Sequence, residues 1–262
     1  MMQFQASEDP LNNIPWEKNE HSPLTPARPF LPCDSISGTS FRFYCTFELQ
    51  TYFFSGRDRA GEEKASGDHS TDIPNNHLCR DWISGNPLAK AGAWKRLFRT
   101  YWPENAASDL DRLFGPETED LEAEKNPKKP CKAELKFHHA LFPLNSTDPQ
   151  HPALIAPREP ETGKVAHGPI TYEVVNKGSR CEVVIDYLPR TDGLPLEDAS
   201  WLAEQVLKNV FLSARAAEKQ GAAIGGKSGI WGRIHLITCS VQTGPDVPRT
   251  ITSSIKSRES CR

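Results

Sequence analysis

The sequence predicts an α+β fold in which helices cover one face of a mainly antiparallel sheet, and three observations carry that expectation. An aromatic and β-branched run, FRFYCTFELQTYFF at 41–54, reads as a long strand. Two stretches, 88–101 and about 195–219, place apolar residues at helical spacing. The elements then follow as strand, helix, strands, helix, strand, with no internal repeat.

Residues 1–40 are rich in Pro, Asn, Ser and Glu, with Trp16, Phe30 and Leu31 as isolated apolar anchors, and read as an extended N-terminal arm. The strand at 41–54 ends at Ser55-Gly56. A polar stretch at 55–76 with three glycines has almost nothing to bury, so it is expected to be a mobile functional loop. In the first helix Leu88, Trp94, Leu97, Phe98 and Tyr101 form the apolar stripe, and Lys95 and Arg99, four apart, share a face. A short helix follows at 108–115, with Ser108 as N-cap and Gly115 as C-cap.

CKAELKFHHALF at 131–142 alternates as a strand, which sends His138 and His139 to opposite faces and argues against a metal held by both. A proline-rich connection at 143–168 leads to 170–189, expected as a hairpin through Asn176-Lys177-Gly178. The long helix presents Leu202, Val206, Val210, Phe211, Ala214 and Ala217 as its buried stripe. A glycine-rich turn and a last strand complete one domain over 41–245, followed by a polar tail at 246–262.

With 262 residues, 37% hydrophobic and 25% charged, the chain can bury a sizeable core, while 22 prolines imply generous loop content. No run approaches the ~18 apolar residues of a membrane span, and the N-terminal residues lack the order of a signal peptide. The expectation is a cytoplasmic protein with no membrane partner. Seven cysteines stand singly, without zinc-ligand spacing, and are expected as reduced structural thiols. A net charge of −3 does not advertise nucleic-acid binding. The charge is uneven, however: 90–99 carries four cations and no acid, and 116–124 carries five acids.

The segment GGKSGIWGRI at 225–234 puts four glycines beside Lys227 and Arg233, a composition that lets backbone amides approach a phosphate chain. It follows a helix, whereas a nucleotide-binding P-loop precedes one, so an NTPase reading fails. A tight turn with a bulged strand start is the competing reading. Trp231 between two glycines could stack on a base or pack into the sheet.

This helix and glycine-rich loop resemble the corresponding part of RAMP (repeat-associated mysterious protein) subunits of CRISPR effector complexes, with Lys227, Gly229, Trp231 and Gly232 in the matching places. LCRDWISGNPLAKAGAWKRLFR at 78–99 is similar to the family's Asp, turn, Pro and basic-helix pattern through Asp81, Pro87, Gly92, Lys95 and Arg99. The usual Pro-Gly-Ser-Ser bend is replaced by Lys90, Ala91, Gly92 and Ala93. Leu113-Phe114-Gly115 and the strand after it match as well.

The resemblance implies a ferredoxin-like (RRM-like) core and a backbone-type subunit of a type III complex. It also implies contacts to CRISPR guide RNA, target RNA, other RAMP-type subunits and large effector subunits. The RNA-binding residues it points to are Lys90, Gly92, Lys95, Arg99, Gly226, Lys227, Ser228, Trp231 and Arg233. Asp72-Ile73-Pro74 matches the Asp-x-Pro of family members that cut target RNA. Asp72 is thereby the candidate catalytic residue and metal ligand, holding Mg²⁺ or another divalent cation, with Asp68 and His69 as possible assistants. A non-cleaving RAMP subunit and, further off, a guide-processing endoribonuclease are the alternatives. The glycine-rich loop is short for the latter. An unrelated RRM module would carry an RNP signature that this sequence lacks.

Overall fold

The structure is a computed structural model and describes residues 41–56, 76–116, 132–147, 153–155, 162, 164, 170–189, 196–226, 229 and 231–244. The expected N-terminal arm, residues 57–75 of the long loop and the polar tail lie outside these residues. In chain order the named elements are β1 (Phe41–Leu49), β2 (Leu88–Ala89), α1 (Ala91–Thr100), α2 (Leu110–Phe114), β3 (Leu135–Phe137) and β4 (Ala140–Leu141). There follow β5 (Ala153–Ile155), β6 (Ile170–Tyr172), β7 (Arg180–Tyr187), α3 (Leu196–Lys219) and β8 (Ile234–Thr243). The main sheet has the order β3-β7-β1-β8, and each neighbouring pair is antiparallel. This is the mixed, mainly antiparallel class that the sequence predicts.

Period-two alternation decides which face of β1 is buried. Phe41, Phe43, Cys45, Phe47 and Leu49 point into the core, where the stripes of α1 and α3 meet them. From α1 come Trp94, Leu97 and Phe98; Trp94 stacks on Phe47 at 5.1 Å between centroids, and Phe98 meets Phe137 at 5.5 Å. From α3 come Val206, Val210, Phe211, Ala214 and Ala217, as the helical spacing requires. Each large side chain so buried contributes roughly 1.5–3 kcal/mol. Cys45 and Cys239 sit opposite one another on β1 and β8, with sulfurs 3.4 Å apart. The contact with Cys239 and burial together push the Cys45 thiol well above its ordinary pKa, in keeping with structural thiols.

The other face of the sheet is polar and laced with cross-strand ion pairs. Arg42 lies directly opposite Asp186, donating from Nε to Oδ1 at 2.6 Å and from Nη2 to Oδ2 at 3.2 Å. His138 Nε2 stands 2.8 Å from the same Oδ2. Burial opposes ionisation of Asp186, but hydrogen bonds from His138 and Arg42 outweigh it and hold the carboxyl at about 2. Arg180 likewise pairs with Glu48 across β7 and β1 at 2.9 Å.

Several expectations are corrected. The strand at 41–54 stops at Leu49; the chain bends at Gln50-Thr51, and Phe53 then makes a separate bridge to Val175. The strand at 131–142 splits into β3 and β4 at His138-His139. The turn at Asn176-Lys177-Gly178 forms, with Gly178 at φ +81, but its two flanks do not pair as a hairpin. β6 pairs with β5, a strand inside the expected proline-rich connection, whereas β7 pairs with β1 and β3. In place of a helix capped by Ser108, a 3₁₀ turn at Glu104–Asp109 precedes α2, and Gly115 follows α2 with φ +78.

Candidate nucleic-acid interface

The β1 exit, the start of α1 and the turn after α3 converge on one groove of about 610 Å³. Its walls are Ser55 and Gly56, then Lys90, Gly92, Ala93, Arg96, Leu97, Thr100 and Tyr101, then Ala222–Gly226. None of these lining residues is acidic. Lys90 precedes α1, whose first turn carries no acid, and Arg96 is exposed one turn further on. The positive end of the helix dipole adds to the two cations. Gly92 is exposed with no atom within 4 Å of where a Cβ would stand, so α1 offers bare backbone to the groove.

The glycine-rich turn is placed by backbone approach rather than by side chains. Gly226 N–H donates to Phe54 O at 2.8 Å, and a Cβ on Gly225 would lie 2.4 Å from that same oxygen. Gly232, at φ +84, donates to Tyr52 O at 2.6 Å and accepts from Ile224 N–H at 3.0 Å. A Cβ there would stand 1.9 Å from Ile224 O. Only glycine permits these crossings. At the opposite wall His139 Nδ1 accepts from Ala91 N–H at 3.0 Å and caps α1.

Of the expected RNA-binding residues, Lys90, Gly92 and Gly226 line the groove together. Lys95 does not, and Arg99 is turned the other way: it donates to Gly115 O at 2.6 Å and to Asp111 Oδ1 at 3.2 Å, tying α1 to α2. The groove cation on α1 is Arg96, one residue past Lys95. Trp231 is a core residue rather than a stacking platform, 8% exposed and set edge-on against Tyr172 and Tyr52. Arg233 is exposed at the start of β8, where its N–H donates to Thr51 Oγ1 at 3.0 Å. Lys227, Ser228, Asp68, His69 and Asp72 lie outside the described residues. Among the described residues no group of three or more His, Cys, Asp or Glu side chains is placed to hold a metal ion.

A hairpin rises from the Ser55 wall. Cys79 N–H donates to Ser55 O at 2.6 Å, Cys79 O accepts from Leu88 N–H at 3.0 Å, and the turn Asp81–Gly85 lies beyond. Glu173, buried at the base, accepts from Leu78 N–H at 3.1 Å and pairs with Arg80.

No protein-family model matches the chain, and no curated protein matches it. Among solved structures it is similar to a chain in the cryo-EM structure of the Type III-B Cmr-beta bound to cognate target RNA, at 14% identity and a TM-score of 0.47. The similarity covers 78% of this chain and 61% of that one, so the present chain spans less than two thirds of its length.

Proposed function

We propose that this protein is an RNA-binding, RAMP-type subunit of a type III CRISPR ribonucleoprotein, and that the groove between α1 and the glycine-rich turn holds the guide-RNA backbone. The observation that carries the reading is the groove's chemistry: two cations, a helix N-terminus, Gly92 and the Gly225–Gly226 turn line one channel, and none of its lining residues among the described residues is acidic. That combination suits a chain of phosphates, which needs positive charge and close approach more than shape-specific side chains. The element order and the strand order β3-β7-β1-β8 agree with the ferredoxin-like core that the sequence resemblance implies. Target RNA, further RAMP-type subunits and a large subunit are the partners this reading entails.

Neutralising Lys90 and Arg96 together tests it. Filter binding of a single-stranded RNA across roughly 50–200 mM salt should show weaker binding and a log–log salt slope flatter by about 1.4, or ~0.7 per lost phosphate contact. An unchanged slope refutes the groove as the phosphate track.

Cleavage of target RNA is a separate part of the proposal and rests on the Asp72-Ile73-Pro74 match. Asp72 would hold a divalent cation that offsets charge at the scissile phosphate. In the assembled complex Asp72→Ala should abolish metal-dependent cutting of end-labelled complementary RNA while leaving RNA binding intact. A cut that persists places the chemistry elsewhere, and a wild-type complex that makes none identifies a binding-only subunit.

A further inference from the structure

At the tip of the hairpin that rises from the groove wall, Trp82 is 90% exposed, with Ile83 at 64% and the neighbouring Leu144 at 58%. An indole left this open forgoes the stabilisation that burying it would contribute. The backbone beneath it is held in one geometry. Asp81 Oδ2 accepts from both the N–H and the hydroxyl of Ser84, at 2.8 and 2.7 Å. Gly85, at φ +71, donates to Asp81 O at 2.8 Å, and its own carbonyl accepts from Arg80 Nη1 at 2.8 Å. Arg80 is in turn paired with the buried Glu173. Asp81 N–H closes the rung below the turn on Asn86 O at 2.8 Å. An exposed aromatic on a turn fixed at this many points is prepared for a partner, because little of its freedom is left to lose on binding.

We propose that Trp82 is a base-stacking post that extends the RNA track beyond the groove; the inference rests on the RNA-binding reading given above. Continuity argues for it: Cys79, three residues before Trp82, is hydrogen-bonded to Ser55 of the groove wall. Three residues of extended chain span about 10 Å, the length of roughly three stacked nucleotides at ~3.4 Å each. Chemistry argues for a base rather than a phosphate. The carboxylate of Asp81, kept ionised by the Ser84 hydroxyl and N–H, repels phosphate beside the indole. Ile83 and Leu144 offer only apolar surface. A base has a π-face whatever its identity, so the contact adds affinity without sequence preference.

The test compares full-length wild type, Trp82→Leu and Trp82→Phe on oligouridylates of about 4 and about 12 nucleotides, short and long relative to known single-strand site sizes. Trp82→Leu should weaken the longer RNA by about tenfold, Trp82→Phe should retain most of that affinity, and the short RNA should bind all three alike. An abasic nucleotide moved along the longer RNA should cost wild type that same factor at one register and cost Trp82→Leu nothing there. The side chain is exposed, so thermal unfolding midpoints should coincide. If Lys90→Ala/Arg96→Ala weakens RNA but Trp82→Leu binds the longer RNA as wild type does, stacking is overturned and the groove reading stands. If the groove variant also binds unchanged, the RNA-binding reading itself fails. A Trp82→Leu protein with unaltered RNA affinity and an altered sedimentation coefficient would make the tip a protein contact instead.

Discussion

Gly232→Ala is the substitution whose cost the structure defines most closely. The new Cβ would stand 1.9 Å from Ile224 O, against an ordinary contact of about 3.5 Å or more. Backbone therefore has to move by well over an ångström. Residue 232 sits at φ +84, where an L side chain costs roughly 1–2 kcal/mol by itself. Two hydrogen bonds depend on that position: Gly232 N–H to Tyr52 O at 2.6 Å and Ile224 N–H to Gly232 O at 3.0 Å. Gly232 and Ile224 are buried, so separating either pair costs about 1–3 kcal/mol. With both pairs separated the sum, about 3–8 kcal/mol, is a large share of the 5–15 kcal/mol typical of a whole domain. Urea unfolding followed by tryptophan fluorescence should show a much lower midpoint with an unchanged slope. Gly229→Ala is the control: that residue is exposed, with no atom within 4 Å of a Cβ, and should shift stability by no more than about 0.5 kcal/mol. A Gly232→Ala protein within about 1 kcal/mol of wild type would refute the argument that backbone crossing explains the glycine.

Gly92→Ala should separate stability from binding: an alanine in α1 adds up to about 1 kcal/mol of stability, read as a higher urea midpoint, while its methyl enters the groove and weakens single-stranded RNA in filter binding. Arg99→Ala should do the reverse of Arg96→Ala, costing about 1–2 kcal/mol by removing the bonds to Gly115 O and Asp111 Oδ1 while leaving the RNA salt slope unaltered. For Asp186 the folded carboxyl sits at about 2, below its ordinary 3.8, so its contribution is complete above about pH 4 and is lost as pH falls through 2. At ~1.4 kcal/mol per unit this is about 2 kcal/mol, and Asp186→Asn should flatten the acid limb of a stability–pH curve measured by urea titration.

The first helix shows how much of the site was legible in the chain. A basic stretch and a glycine-rich segment follow from composition, their sharing one surface was what the family resemblance implied, and the groove does bring Lys90, Gly92 and Gly226 together. Pairing cations by four-residue spacing selected Lys95 and Arg99, because charge was considered before rotational phase. Trp94, Leu97 and Phe98 set that phase by burial, and Gly92, Arg96 and Thr100, also spaced by four, then fall along the groove. That second spacing was available in the sequence. For Trp231 the sequence left stacking on a base and packing into the sheet both open, because its neighbouring glycine serves backbone crossings, which leave no trace in side-chain composition. At 170–189 the turn chemistry was correct, but a turn fixes only its own geometry. The long-range partners of β6 and β7 depend on which strands elsewhere bury their faces. Asp72, Asp68 and His69 fall outside the described residues, so their roles rest on sequence alone.

The groove's three walls come from segments far apart in the chain, brought together where β1 meets β8; the facing sulfurs of Cys45 and Cys239 are 194 residues apart. Closing a loop of that size costs about 5 kcal/mol of chain entropy before any contact across it is rewarded. Local units such as α1 with α2 can form early, whereas the β1–β8 junction joins residues 194 apart and forms later. A ligand held by all three walls binds only the chain in which that junction is closed. It therefore draws the population toward the closed form in proportion to the logarithm of its concentration. If the proposed RNA occupies the groove, it would act as a folding cofactor as well as cargo, and a chain made in its absence would be exposed longest at the seam between β1 and β8.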